Sequence, residues 1–442
     1  MMAFRNVRVT RETFEAAPLD VAPLVPKASK TAAAPVATSP SGPVDSVLAA
    51  ALVFVIFFGV VMVYSASNVL GATRHHDPEF FLTRQLMYAG GALALLFGLS
   101  RIDYHRLYKA TYAVLLGTGG LLTACIAGLG HSGGGATRWI AIGPVHIQPA
   151  EIAKLAIVVW LAYSLAKKAE AVKSFTVGFL PHLLVAGLFM VLCMKQPDFG
   201  SAVVLLLLTF AMLFVAGARV GYILGAAILG SLFAVVSVLS KSYRMQRYEA
   251  WMHLEQNRQG IGYQPYQSVM SYGSGGFFGH GIGRGTQTMF LPEAHTDFIS
   301  AIIGEELGYI GICGLILLYL LIVARGVRTA LRAPDDYGAY LAYGISFLFG
   351  IQAVFNLCVA LSLLPTKGLT LPFLSFGGSS LLVNAAAAGI LLNISRQGPI
   401  EVAPEDAPTP RPTQVRRRGK SADVDVHEPE PSLEPGDVEA LS

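Results

Sequence analysis

Charge is scarce in this sequence. Only 14% of its 442 residues are Asp, Glu, Lys or Arg, against 53% that are hydrophobic, and the mean hydropathy is +0.55. Soluble domains carry roughly 25% charged residues, so a water-facing surface cannot be built from this supply. That excludes a cytosolic enzyme, a secreted disulfide scaffold and a DNA-binding domain. The formal charge of +4 is too small to argue for nucleic acid. Cysteine is sparse too. Cys125, Cys193, Cys313 and Cys358 sit in separate apolar runs, with no C-x-x-C and no His at ligand spacing, and read as small core hydrophobes. The first 44 residues hold no apolar h-region, which excludes a cleavable signal peptide. G-x-x-x-x-G-K-[ST] is missing, so nothing couples to ATP hydrolysis, and the run Gly281-Ile-Gly-Arg-Gly285 lacks the strand–helix context of a dinucleotide site.

What is abundant is apolar runs. A helix needs about 20 apolar residues to cross the hydrocarbon core. Ten such runs predict an all-α polytopic membrane protein: 46–66, 86–100, 110–130, 150–166, 178–194, 200–217, 219–239, 298–324, 338–362 and 376–395. Basic residues in short loops orient them. Arg101, Arg106 and Lys109; Lys167, Lys168 and Lys173; Arg219; and Arg325, Arg328 and Arg332 all fall on one side if both termini are cytoplasmic. The chain then divides into a flexible tail over 1–44, a ten-helix membrane domain over 45–396 and a second tail over 397–442 rich in Pro, Glu and Asp.

The remaining cations stand on the outer side, against that bias: Arg84, Arg138, Lys154, Lys195, Arg244, Arg247, Arg258, Arg284 and Lys367. Two readings apply. They pair with Glu151, Asp198, Glu249, Glu255 and Glu293, or they form a site for an anionic lipid headgroup in the outer leaflet. One outer loop is long, about 240–297 between the seventh and eighth spans, with Tyr248, Trp251, Tyr263, Tyr266 and a glycine-dense run over 272–285. Loops of that length are functional or disordered, and this composition does not read as disorder. It closes with Leu291-Pro-Glu-Ala-His-Thr-Asp297 at the start of a span. Asp297 is thus a helix N-cap or a catalytic carboxylate. Glu305 and Glu306, two turns deeper, demand a buried partner for at least one of them.

These residues resemble the SEDS family (shape, elongation, division and sporulation) of polytopic peptidoglycan glycosyltransferases. The matching blocks are Tyr64-Ser-Ala-Ser67, Gly135-Ala-Thr-Arg-Trp-Ile140, Ile147-Gln-Pro-Ala-Glu-Ile-Ala-Lys154, Gln196-Pro-Asp-Phe-Gly200, Leu291-Pro-Glu-Ala-His-Thr-Asp-Phe298 and the run from Leu364 to Ser380. The block ending at Asp297 and the extended tails look most like the cell-division branch. Ala150 stands where the family usually has Ser, and the segment after Asn356 is less glycine-rich than the family pattern.

The resemblance implies polymerisation of lipid II into glycan strands at the outer face of the inner membrane, at the division septum. Asp297 occupies the position of the family's catalytic carboxylate. Lipid II carries its sugar on an α-linked pyrophosphate, so forming a β-1,4 bond inverts the anomeric carbon. A single displacement suffices, with one base to deprotonate the acceptor hydroxyl. The pyrophosphate already leaves well and needs cations rather than a general acid. Asp297 is therefore the expected base, with His295 and Glu293 beside it. For the pyrophosphate, Lys367 comes first, then Arg138, Lys195 and Arg244. Gln196, Asp198, Glu151, Lys154 and Ser379 complete the substrate-binding set. Glu151 and Lys154, at i and i+3, read equally as an internal salt bridge, and Asp198 as a helix cap. No resident cofactor is expected; a divalent ion, Mg²⁺ or Mn²⁺, bridging pyrophosphate and carboxylate is the one candidate. Expected partners are the nascent glycan strand, membrane lipid, other divisome proteins and a class B penicillin-binding transpeptidase of the FtsI type. A lipid II flippase and a non-catalytic divisome scaffold are the competing readings.

Overall fold

The computed structural model describes residues 42–133, 136–143, 145–240 and 242–397; the tails expected at 1–44 and 397–442 fall, but for a few residues, outside them. Twelve α-helices and three short strands follow one another in the order α1 (Ser46–His75), α2 (Phe80–Leu99), α3 (His105–Ala124), β1 (His131–Gly133), β2 (Ala136–Ile142), β3 (Val145–Ile147), α4 (Pro149–Lys167), α5 (Leu180–Lys195), α6 (Phe199–Val215), α7 (Val220–Leu239), α8 (Ser242–Met252), α9 (Tyr263–Ser274), α10 (Ile299–Leu331), α11 (Asp336–Ala360) and α12 (Gly378–Arg396). Eight of these helices are long and apolar enough to cross a bilayer, and α6 and α7 are shorter apolar helices in series with them. The chain is a helical membrane protein.

Each of the ten predicted runs coincides with one helix, but some helices overrun their runs. α1 continues past 66 to His75, α2 starts at Phe80 rather than 86, and α10 continues past 324 to Leu331. Helical hydrogen bonding does not stop where hydrophobicity does. α1 ends only where His76 takes a left-handed conformation (φ 56°) and its N–H returns to Gly71 O. At its start, Asp45 accepts from Leu48 N at 3.0 Å and from the Arg325 guanidinium at 2.7 Å, tying α1 to α10.

α4 is the most enclosed helix, running between α3, α6 and α11. It nonetheless carries two buried charges, and they meet: Lys154 Nζ lies 2.8 Å from Glu151 Oε1. At one end of the bundle a polar knot joins the α2–α3 and α10–α11 connections to α12. Asn393 of α12 accepts from Tyr104 N and donates to Ser100 O, both at 3.0 Å. His105 stands between Asp103 (2.7 Å) and Asp335 (3.2 Å).

At the opposite end the long loop is ordered as α8, α9 and a glycine-rich return. That return packs on the first turns of α10. His280 N donates to Glu305 O at 3.1 Å and Gly281 N to Glu306 O at 2.9 Å. At Gly308 the helix α10 breaks its regular form (φ 67°), and a Cβ there would meet Gly279 N at 2.4 Å; only glycine fits. The buried Glu305 finds its partners in the same return, accepting from Thr286 N at 2.7 Å and Gln287 N at 3.1 Å. Glu306 accepts from Ser65 Oγ at 2.5 Å. β1, β2 and β3 form a small antiparallel sheet between α3 and α4, at the same end as the long loop.

Candidate active site

Connections between helices converge on one cavity of about 420 Å³. β2 contributes Arg138, the α5–α6 turn Asp198, the start of α6 Phe199, α8 Arg244 and Arg247, α9 Gln264, the end of the long loop Asp297, and the α11–α12 connection Thr366, Lys367 and Gly368. Four cations thus surround Asp297.

Asp297 is held from behind by Asn356 of α11. One Asn356 Nδ2 donates both to Asp297 O (2.9 Å) and to Leu369 O (2.8 Å), so a single side chain registers the base against the Lys367 segment. The side-chain amide is itself placed by Ser300 Oγ, 3.2 Å from Asn356 Oδ1. On the other side Gly368 closes in: a Cβ there would stand 3.1 Å from Asp297 Oδ2. The helix-cap reading of Asp297 is corrected by this geometry. The residue at the cap position of α10 is Phe298, and it makes no side-chain cap bond. The Asp297 carboxyl reaches the cavity instead.

Burial raises the Asp297 carboxyl to about 7, and the nearby negative charge of Glu293 adds to the rise, against the opposing pull of Arg138 and Arg247. Helix-end electrostatics alone would have lowered it; desolvation wins. Lys367 moves the other way. Burial and the adjacent Arg244 push its ammonium down to about 8, with Arg247 assisting and Asp198 opposing. Its Nζ lies 3.4 Å from the centroid of the Phe199 ring. Arg138 is fixed by backbone, its Nε donating to Gln196 O at 3.2 Å and a terminal nitrogen to Pro197 O. Arg247 donates to Thr366 O at 3.2 Å.

The sequence-predicted residues divide. Asp297, Lys367, Arg138, Arg244 and Asp198 line the cavity. Asp198 also caps α6, accepting from Ser201 N at 3.0 Å and Ser201 Oγ at 2.8 Å. The others are not part of the lining. Lys195 is exposed beyond it. Glu151 and Lys154 are spent on each other inside α4. Gln196 is buried and donates to Leu122 O at 3.0 Å. Ser379 joins α12 to the sheet, accepting from Gln148 N at 3.1 Å and donating to His146 O at 2.7 Å. His295 is buried between Phe81 and Phe376, its ring centroid 4.7 Å and 5.4 Å from theirs. Glu293 is exposed at φ 55°; its carbonyl accepts from Asp297 N at 3.2 Å, and its charge acts on the Asp297 carboxyl. Sequence reasoning did not assign Phe199, Arg247, Gln264 or Thr366 to the site. Arg247 carried a signal, as an outer cation one helical turn from Arg244; Phe199 and Thr366 lie inside two of the blocks that carry the resemblance, and Gln264 carried none.

A helical membrane bundle whose connections gather two carboxylates, Asp198 and Asp297, and four cations over an end-on cavity defines a class of membrane-embedded proteins built around a charged chamber. The chain belongs to the FtsW/RodA/SpoVE family, described as cell cycle proteins, which matches residues 45–399. It is 45% identical over 358 residues to the probable peptidoglycan glycosyltransferase FtsW of Trichlorobacter lovleyi, covering 79% of this chain and 93% of the relative. It is 39% identical over 354 residues to stage V sporulation protein E of Bacillus subtilis, covering 80% and 97%. Among solved structures it resembles a chain of a peptidoglycan synthase complex that coordinates polymerization and crosslinking, with TM-score 0.67 and 29% identity over 80% of this chain and 98% of that one. It also resembles the rod shape determining protein RodA of Thermus thermophilus, with TM-score 0.58 and 28% identity over 80% and 97%.

Proposed function

We propose that this chain, a peptidoglycan glycosyltransferase, polymerises lipid II by a single inverting displacement in the cavity around Asp297. The observation that carries the reading is the Asp297 carboxyl, raised to about 7 and facing a chamber ringed by Arg138, Arg244, Arg247 and Lys367. A general base works best with a pKa near the operating pH, and 7 meets that condition. Asp297 takes the proton from the acceptor 4-hydroxyl as its oxygen attacks the anomeric carbon of the donor. The bond to the pyrophosphate oxygen breaks on the opposite face, and the negative charge gathering there is met by the cations. A second carboxylate, which hydrolytic inverting enzymes need for an alcohol leaving group, has no task here.

The orientation follows from the basic loops. Arg101, Arg106, Lys168, Arg328 and Arg332 stand at the end of the bundle away from the cavity, and the positive-inside bias puts that end in the cytoplasm. On this reading ten helices cross, both termini are cytoplasmic and the cavity faces outward, where lipid II is consumed at the septum. A class B penicillin-binding transpeptidase is the partner by analogy with the synthase complex it resembles. A Mg²⁺ or Mn²⁺ ion, if recruited, would find one free carboxylate in the cavity, Asp297, and draw its other ligands from pyrophosphate and water, a habit of Mg²⁺.

The test is strand synthesis in detergent, where there is no membrane to cross. Purified protein with its transpeptidase and lipid II yields glycan strands if the chain is a polymerase. Intact, unpolymerised lipid II, together with lipid II movement across vesicles holding the same preparation, would mean a transporter instead.

A further inference from the structure

Three of the four cavity cations are arranged around residues 196–200, where the turn after α5 passes into the start of α6. The turn is stiff. Asp198 bonds both the backbone and the hydroxyl of Ser201, and the Leu369 side chain lies against Gly200. Its carbonyls at Gln196 and Pro197 receive Arg138. Its Phe199 ring carries the Lys367 ammonium on its face at 3.4 Å from the centroid, with the Arg244 guanidinium carbon at 5.9 Å.

We infer that Phe199 is a positioning residue for the donor pyrophosphate: its ring face holds Lys367 in place, charged yet not neutralised, until the anion arrives. The inference rests on the reading of this cavity as the pyrophosphate site. A carboxylate partner would hold the lysine equally well but would have to be displaced, with its own charge left stranded, whenever pyrophosphate bound. An aromatic face attracts the cation through its quadrupole and leaves the ammonium donors free to turn to the substrate. Asp198, the acidic neighbour, is already engaged by Ser201. The ring is thus the counterpart that lets a lysine stand at the edge of a half-buried chamber without a salt bridge to break.

The pH dependence of lipid II binding reads this directly. The charges facing Lys367 are Arg244 and Arg247 from α8, Asp198 from the α5–α6 turn, and Arg138 and Asp297 across the cavity. The ring favours the protonated lysine, so removing it moves the loss of charge to lower pH, by roughly half to one unit for a partly desolvated cation–π contact. In the purified complex, Phe199→Leu is expected to shift the basic limb of kcat/KM for lipid II down by that amount. KM at pH 8 rises several-fold while kcat at saturating lipid II changes little. Phe199→Tyr and Phe199→Trp restore the wild-type limb. In a Lys367→Arg background, where the cation does not titrate, Phe199→Leu no longer shifts anything. Phe199→Met, of similar volume, replaces Leu if the leucine variant fails to fold. An unchanged limb and KM in Phe199→Leu, with lipid II binding lost in Lys367→Gln, would overturn the role of the ring alone. Unchanged binding in Lys367→Gln would overturn the pyrophosphate reading and the inference with it.

Discussion

At the scale of single residues the site is a contest between desolvation and charge. Asp297 and Lys367 share one cavity, and burial acts on both by disfavouring the charged form: the carboxyl rises to about 7 and the ammonium falls to about 8. The active form needs Asp297 deprotonated and Lys367 protonated. We therefore expect kcat/KM to rise as the pH climbs through about 7 and to fall through about 8, a narrow bell measurable by strand synthesis across pH 5.5 to 9.5. The same shift bears on stability. The folded-state value of Asp297 lies above the unfolded value of 3.8, so the folded protein binds more protons between about 4 and 7 and loses stability as pH rises through that window. Replacing the charge should then cost nothing at pH 8. Asp297→Ala is expected to melt no lower than wild type there, whereas a helix cap would lose ~1 kcal/mol. Thermal unfolding of both proteins in the same detergent distinguishes the two.

At the scale of elements the site depends on a few side chains that register one connection against another. Asn356 is the clearest, bonding Asp297 O and Leu369 O at once. Asn356→Leu leaves both carbonyls without that donor, at roughly 1–3 kcal/mol for each that stays buried and unpaired. A lowered unfolding midpoint and a loss of strand synthesis even at permissive temperature are expected together. Gly368→Ala is the complementary probe. The added methyl would press on the Asp297 carboxylate from 3.1 Å. A displaced base should cut the rate tenfold or more with little change in melting, because the strain falls on the cavity and not on the core.

The helices were readable in the sequence because twenty-residue apolar runs have few alternatives to a membrane helix. Their ends were less so, since backbone hydrogen bonding carried α1 and α10 past their apolar stretches. The sheet of β1, β2 and β3 was not foreseen, for its three short strands carry little periodicity to read. Charges near helix ends proved ambiguous for a physical reason. Lys195 and Lys367 look alike in one dimension, but the end of α5 turns the first outward while the α11–α12 connection folds the second over Phe199. Phe199 itself is one aromatic among many, and only the fold shows that its face is covered by a cation.

At the scale of the whole molecule the two ends of the bundle differ. One carries the basic loops and the knot of Asn393, Tyr104 and His105; the other carries the sheet, the long loop and the cavity. In a variant stripped of its four cysteines, a cysteine at Gln256 is expected to react with an impermeant maleimide on intact cells, and one at Arg332 only after the membrane is opened. The reverse pattern would invert the protein and put the cavity in the cytoplasm.

The reaction turns on the Asp297 carboxylate taking the proton from the acceptor, and a single substitution isolates that step. Purified wild-type complex and its Asp297→Asn variant are given the same lipid II at pH 7.5, with binding and strand length measured side by side. We expect equal lipid II affinity and a loss of strand synthesis of at least a hundredfold, the scale of a missing general base. Strand synthesis at the wild-type rate from the variant would mean that Asp297 is not the base and that another group in the cavity takes the proton.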